Sequence, residues 1–395
     1  MIAVIADDFT GAAEIGGIGL RHGLNVVIET EAVLYDDVDL LIVATDTRSL
    51  NPYEASIVIS KITAQLMQMN PLYIYKKLDS VLRGNIFAEL KAQMEVMDLR
   101  KTVVVAANPI FNRVIKKGEY LIDGVPLNHT HFSNDPEYPI RSSKIEDIIG
   151  KSDISLISGI GASDQLPNDG IIIGDVIDLK DLNDWCYQID EETMPAGASG
   201  FFDSFLMNKL PSKSHRQIKQ IPFGSNALFI FGSSYPKDID FEKFLSDRGI
   251  YLSQMPEEMY FNRNYDQEVF DCWIDGVIEG VKKFNRVVVA VPFRASTEKG
   301  IGKRIINSLA ILADKVIQSV ELNELLIEGG STTSKILNSL GIKKLFPVQE
   351  FETGIIRMKI NEYPNLLLTT KPGSYEWPEA VWSKNNRIFE KTVKS

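Results

Sequence analysis

Cysteine is nearly absent: Cys186 and Cys272 are the only two in 395 residues. So few thiols, so far apart, supply neither a disulfide framework nor a zinc site, and they fit a reducing compartment. The histidines are also few, and His22, His129, His131 and His215 show no HExxH or comparable spacing. That argues against a catalytic zinc and leaves metal ligands unassigned. No Lys/Arg run exceeds a pair, and 53 acidic against 42 basic residues leave a net charge of −11. A nucleic-acid partner is therefore not expected, because a phosphate backbone calls for a basic patch. No apolar stretch approaches the roughly 20 residues of a membrane span, so no membrane partner is expected either. Met1 leads straight into Ile2-Ala3-Val4-Ile5-Ala6; no signal peptide is expected and the sequence reads as cytoplasmic. Also missing are a Walker A loop, a Gly-x-Gly-x-x-Gly turn after a strand and a Gly-x-Ser-x-Gly elbow.

What is present is an ordinary globular composition, 44% hydrophobic and 24% charged, in a chain long enough for two domains. Short apolar runs alternate with amphipathic stretches of helical period, the pattern of parallel or mixed sheets flanked by helices. The fold class is thus α/β, in two domains with a cleft between them. Strands are predicted at 2–6, 24–28, 39–44, 72–76, 102–106, 154–157 and 171–174, with helices at 11–22, 53–69, 84–98, 178–190 and 198–209. After an aperiodic stretch the alternation restarts, placing a boundary near 222–226 and domains at 1–222 and 226–395. The second half is predicted to hold strands at 227–231, 250–254, 286–291, 324–328, 355–360 and 366–369, and helices at 236–248, 265–283, 298–318 and 332–340. Residues 108–145, rich in Pro and Gly, read as an irregular excursion of the functional-lid kind. Met67, Met69, Met94 and Met97 recur at helical spacings and read as core filler.

Three clusters in the first half carry chemistry, each at a predicted strand end, where open α/β sheets gather ligands. The first is Ala6-Asp7-Asp8-Phe9-Thr10-Gly11-Ala12. One carboxylate could accept a proton from a substrate hydroxyl while the other orients it or helps hold a metal. Asp8 or Thr10 could equally cap the following helix, but capping accounts for one acidic residue, not two in a row. The second is Thr45-Asp46-Thr47-Arg48-Ser49, suited to a polyhydroxylated acid with Arg48 meeting its carboxylate; plain turn chemistry explains it as well. The third, Lys76-Lys77-Leu78-Asp79-Ser80-Val81-Leu82-Arg83-Gly84-Asn85, is the clearest candidate anion site, against the alternative of a solvated turn with a capping Asp or Ser.

The second half offers glycine turns instead. Glu328 runs into Gly329-Gly330-Ser331-Thr332 ahead of a helix, where backbone N–H groups and hydroxyls suit a phosphate. Phe231-Gly232-Ser233-Ser234 and Lys371-Pro372-Gly373-Ser374 could complete a nucleotide cradle, though each alone also reads as an ordinary turn.

Taken in order across residues 6–374, these motifs resemble the four-carbon acid sugar kinase family. The resemblance implies a sugar-acid-binding first domain, a nucleotide-binding second one, and transfer of the ATP γ-phosphoryl, with Mg²⁺, to a terminal hydroxyl of threonate, erythronate or a 3-oxo-tetronate. It implies catalytic roles for Asp7, Asp8 and Arg83, and substrate contacts from Thr10, Asp46, Arg48, Lys77, Asp79, Ser80 and Asn85. ATP contacts would come from Ser233, Ser234, Gly329, Gly330, Ser331, Thr332, Gly354 and Gly373. Ser331 stands where the family pattern has Glu, and Asn108-Pro109-Ile110-Phe111-Asn112-Arg113 matches the family's Pro-Ala-x-Pro-x-x-Gly-Arg segment only loosely. A sugar-acid isomerase, epimerase or lyase that needs no ATP, and a catalytically idle sensor, are the alternatives. The sequence leaves the oligomeric state open; a homodimer is compatible with it.

Overall fold

The structure, a computed structural model, describes residues 1–31, 37–135, 138–150, 153–210, 221–232, 240–261, 265–292, 300–373 and 375–383. The chain divides into two compact units, Met1–Gln217 and Ile218–Ser395.

The first unit opens with β1 (Ile2–Ala6), α1 (Phe9–Arg21), β2 (Val26–Glu29), β3 (Leu40–Ala44), α2 (Pro52–Met67), β4 (Ile74–Lys77), α3 (Ile86–Met97) and β5 (Lys101–Val105). It continues through β6 (Arg113–Lys116), β7 (Glu119–Ile122), β8 (Val125–Pro126), α4 (Ile145–Ile149), β9 (Leu156–Ile160), β10 (Gly170–Gly174), α5 (Leu179–Tyr187), β11 (Thr193–Gly197) and α6 (Ser199–Lys209). Its main sheet runs β2-β3-β1-β4-β11-β5-β10-β9, every pairing parallel. Strands of such a sheet are covered on both faces, so β1 and β3 are continuously apolar and fully buried. The chain leaves β1 toward β2 and β3 on one side and later adds β4 on the other. This reversal makes the carboxyl end of β1 a topological switch point, where a crevice opens.

The second unit holds β12 (Ala227–Phe231), α7 (Phe241–Asp247), β13 (Tyr251–Gln254), α8 (Glu257–Phe261), α9 (Gln267–Phe284), β14 (Arg286–Ala290) and α10 (Ile301–Ser319). Then come β15 (Glu324–Glu328), α11 (Gly330–Ser339), β16 (Lys344–Glu352), β17 (Ile355–Ile360), β18 (Leu367–Lys371) and α12 (Glu379–Trp382). The order is β13-β14-β12-β15-β18-β17-β16, parallel as far as β18 and antiparallel beyond it. Here too the first strand lies between neighbours added on opposite sides. Among the described residues no helix is long and apolar enough to cross a membrane.

Several elements depart from the sequence expectation. Strand β11 has no counterpart there, because Pro195 lacks a ladder donor and demotes its run to an edge. It lies instead between β4 and β5, and its pairing with β4 is confined to Ala196 and Gly197, beyond the proline. Pro347 hid β16 in the same way, and the register with β17 shifts next to that residue. The excursion 108–145 is not irregular: it carries an antiparallel sheet, β6-β7-β8, tied back by bridges Ile115–Val176 and Glu119–Lys144. Of the four methionines read as core, Met94 is buried but Met67 is 40% exposed.

The second unit is cross-braced by a buried ion pair. Arg357 on β17 holds Glu324 of β15 through Nε at 3.2 Å and through Nη2, and donates to the carbonyls of Ile221 and Pro222. Gly224 N–H donates to the same carboxylate at 2.8 Å. Burial pushes the Glu324 carboxyl up against the pull of Arg357, so the pair holds only while both members are present. Substituting Arg357→Met should destabilise the chain by about 3–5 kcal/mol, and R357M/E324L should recover most of that loss. Urea unfolding of the full chain checks both; equal stability of R357M and the parent would refute the bracing role.

Candidate active site

The ends of β3, β1 and β4 lie side by side, with Ala6 in register with Ala44 on one side and Lys77 on the other. The three sequence clusters therefore meet at the switch point. Asp7 is 1% exposed and takes a two-pronged bond from Arg48, Nε at 2.8 Å and Nη2 at 2.9 Å. Arg48 Nη1 also donates to Asp8 at 3.0 Å and lies 3.4 Å from Asp79 Oδ1. One guanidinium thus bridges three carboxylates from two strand ends. Asp79 is gripped in turn by Arg83, Nε at 2.9 Å and Nη2 at 2.8 Å, and accepts from the backbone N–H of Val81 and Arg83.

Local conformation makes this convergence workable. Asp8 caps α1, accepting from Gly11 N at 2.9 Å and the Thr10 hydroxyl at 2.6 Å, so the capping and functional readings apply to one residue. A Cβ at Gly11 would lie 2.7 Å from Asp8 Oδ1 and 3.3 Å from Lys77 Nζ; only glycine permits that approach. Asp46 sits in the left-handed region at φ 53°, and Gly84, at φ 95°, lets the Arg48 stem pass where a Cβ would meet it at 3.0 Å. Asn85 donates to the carbonyls of Thr47 and Leu50, both at 2.9 Å, pinning the loop after β3 to the start of α3.

Burial pushes the Asp8 carboxyl up, but Arg48, Thr10 and Lys77 outweigh it and hold Asp8 below the ordinary carboxylate range. Burial opposes Asp79 as well, yet Arg83 and Arg48 hold it far lower still. The cations of the third cluster are already matched by acids. Lys76 is buried against Glu89 at 2.5 Å, Lys77 lies 3.8 Å from Glu14, and Arg83 reaches Asp135 at 2.8 Å besides Asp79. The segment read as the clearest anion site is, in three dimensions, a charge-balanced network.

Sequence reasoning quoted Arg113 within a loose family match but passed over the other partners supplied by the 108–145 segment. Asp135 binds Arg83, Tyr138 donates its hydroxyl to the Arg48 carbonyl at 2.8 Å, and Arg113 donates to the Ser80 hydroxyl at 2.5 Å. Phe132 lies near both guanidiniums, 5.4 Å from Arg83 and 5.8 Å from Arg113. Their signal was the density of aromatic and charged residues in a segment read as an irregular, lid-like excursion.

In the second unit the ends of β12, β15 and β18 adjoin, with Phe231, Glu328 and Lys371 in mutual register. A glycine follows each of these three strands within two residues, Gly232, Gly329 and Gly373. Gly232 packs so closely on α11 that a Cβ would fall 2.1 Å from Thr332 Oγ1, and Gly329 enters α11 at φ 98°. Gly329 N–H donates to the Lys371 carbonyl at 2.9 Å. Lys371, buried and 3.0 Å from Glu328, donates to the carbonyls of Pro372 and Tyr375 and so sets the turn holding Gly373. Gly354, at φ 79°, faces the Tyr375 ring. Ser331 is exposed and Thr332 buried at the α11 entrance. Ser233 and Ser234 lie outside the described residues. No group of three or more His, Cys, Asp or Glu among the described residues is arranged to hold a metal ion.

Residues 2–204 match the family described as a sugar-binding N-terminal domain, and residues 280–375 one described as a nucleotide-binding C-terminal domain. A D-threonate kinase of Salmonella typhimurium is 26% identical over 386 residues, covering 86% of each chain. A 3-oxo-tetronate kinase of Haemophilus influenzae is 24% identical over 408 residues, covering 95% of this chain and 97% of its own. A solved structure from Salmonella typhimurium LT2 shares the fold, with a TM-score of 0.78 at 18% identity over 96% of this chain and 97% of that one. The chain belongs to the four-carbon acid sugar kinase family.

Proposed function

We propose that this protein transfers the γ-phosphoryl group of ATP to the terminal hydroxyl of a four-carbon acid sugar: threonate, erythronate or a 3-oxo-tetronate. The observation that carries the reading is the pair of switch points, one lined by carboxylates and guanidiniums, the other by glycines after three adjacent strands, one of which opens α11. The first suits a hydroxylated acid; the second suits phosphates, which bind backbone N–H groups where no Cβ intervenes.

Phosphoryl transfer through a loose transition state asks little of a base and much of positioning and charge. Asp8, side chain 14% exposed against 2% for Asp7, is the carboxylate open to substrate. In this reading it accepts the hydrogen of the attacking hydroxyl, and Asp7 fixes Arg48, which in turn fixes Asp8. Lys77 keeps donors beyond the one it gives the Leu78 carbonyl and balances charge on the transferring group. Gly330, Ser331 and Thr332 N–H groups at the head of α11 would cradle nucleotide phosphates. Mg²⁺ supplies charge neutralisation at the phosphates and would be held by their oxygens, by water and by one or two carboxylates. The low basicity of Asp8 and Asp79 disfavours the isomerase and lyase alternatives, because removing a proton from carbon calls for a base poised near neutral pH.

ADP release from Mg-ATP with a panel of D- and L-threonate, D- and L-erythronate and the 3-oxo-tetronates should depend on one acid. Asp8→Asn keeps a good helix cap, so its melting temperature should hold while kcat falls about 100-fold or more. No release with any acid, or an undiminished rate in D8N, would overturn the assignment. Gly329→Ala strains the entrance to α11 and should raise KM for ATP about tenfold while leaving KM for the acid unchanged.

A further inference from the structure

Helices α1 and α6 leave the carboxyl ends of β1 and β11, and β4 lies between those two strands. Both helices cover the same face of the sheet. His22 at the end of α1 is 2.6 Å from Asp203 of α6, and Tyr75 of β4 donates its hydroxyl to the Ala198 carbonyl at 3.0 Å and packs edge-on against Phe202. Lys77, two residues after Tyr75, projects to that face as well, and a Cβ on Gly11 at the head of α1 would lie 3.3 Å from its Nζ. On the other side, Gly197 ends β11 in register with Lys77, and its carbonyl accepts from Leu78 N at 2.9 Å. The heads of two helices thus flank one ammonium group.

The two heads differ in how they are capped. Asp8 closes α1, whereas α6 starts from Ala198, which has no capping side chain. The N–H groups that a helix leaves without internal partners therefore stay open in the first turn of α6. Two polar side chains accompany them. Ser199 is 7% exposed, and its hydroxyl makes no hydrogen bond among the described residues. Asn108, beyond the end of β5, is 5% exposed and lies flat against Gly200, where a Cβ would fall 2.9 Å from its Cγ, 3.0 Å from Oδ1 and 3.1 Å from Nδ2. No described residue bonds this amide, and its Oδ1 is wholly enclosed. A buried amide so placed costs free energy until something bonds it, and with no neighbour to fix it, it can turn its N–H groups toward a ligand.

We infer that the head of α6 is a phosphate site, built from its first-turn N–H groups, the Ser199 hydroxyl and the Asn108 amide with Lys77 at its edge, and that it receives the transferred phosphoryl group. The inference rests on the acid sugar kinase reading and places the phosphate end of the product. In the transfer the substrate oxygen bonds to the γ-phosphorus as the bond to the departing ADP oxygen breaks, and the hydroxyl hydrogen passes to Asp8. The unphosphorylated acid brings no group that this head requires; the ester brings three acceptor oxygens. Glu14 meets Lys77 from the α1 side at 3.8 Å, so the binding falls chiefly to the neutral donors of α6 and to its dipole.

The test compares full-length wild type with S199P and N108D, measuring by calorimetry the binding of inorganic phosphate and of the acid in the presence of saturating ADP, together with ADP release. Ser199→Pro deletes one N–H and the hydroxyl yet suits the first turn of a helix, and Ala198, at ψ 179°, has the extended backbone that precedes a proline. Asn108→Asp keeps the shape of the side chain and sets a charge of the wrong sign against an anion. Each variant should weaken phosphate binding about tenfold or more and lower kcat by a similar factor, with acid binding and KM for ATP unchanged; S199P alone decides the matter if N108D fails to fold. No phosphate binding by wild type, unchanged binding in the variants, or equal losses for phosphate and acid would each overturn the inference. Phosphate binding lost in the variants, with no ADP release from wild type on any acid, would keep the phosphate site and refute the kinase reading; ADP release with phosphate binding untouched would do the reverse.

Discussion

Three carboxylates brought to the ends of neighbouring parallel strands repel one another, and burial sharpens that repulsion because the local dielectric is low. Arg48 resolves the conflict by touching Asp7, Asp8 and Asp79 at once, and Arg83 completes the balance at Asp79. Much of the surrounding backbone serves this arrangement. The left-handed turn at Asp46 starts the loop that delivers Arg48, Gly84 leaves room for its stem, and Asn85 ties that loop to α3. The result is a set of carboxylates that stay ionised while packed together, held by a scaffold that does not have to rearrange to keep them so.

The second unit uses the same topology for the opposite chemistry. Its three central strand ends present backbone where the first unit presents charged side chains. Close packing explains why: Gly232 sits against Thr332, and Gly329 adopts a conformation other residues resist. Lys371 and Glu328 form a buried pair beneath these turns, and Lys371 donates to the carbonyls of Pro372 and Tyr375. One unit thus offers fixed charge and the other offers oriented dipoles.

Hydrophobic periodicity made most strands and helices legible, and chemical composition at strand ends marked Asp7, Asp8, Arg48, Asp79 and Arg83 as a group that the fold does bring together. Two kinds of information were hidden. Proline at positions 195 and 347 masked β11 and β16, because a local rule about missing donors was overridden by where the neighbouring ladder begins or shifts. Partnership was hidden as well. Sequence displays a cation but not its counter-charge, so Lys76, Lys77 and Arg83 read as an anion site although Glu89, Glu14 and Asp135 neutralise them from other elements. Asp135 and Tyr138 were overlooked for the complementary reason: they follow a small antiparallel sheet whose strands are only two to four residues long, too short to show a period.

The adjacent lysines of β4 carry a consequence of their own. Consecutive strand residues face opposite sides of a sheet, and here Lys76 meets Glu89 of α3 while Lys77 meets Glu14 of α1. A slip of one residue in this central strand would turn each ammonium away from its own acid and set an uncharged side chain, Tyr75 or Leu78, against Glu89 or Glu14. Apolar strands can tolerate such slippage during folding, since one Val or Ile replaces another at modest cost. Strand β4 is less tolerant, because a slip in either direction leaves one of its two acids facing a side chain without charge, and its lysines therefore favour the register in which β1 and β4 pair.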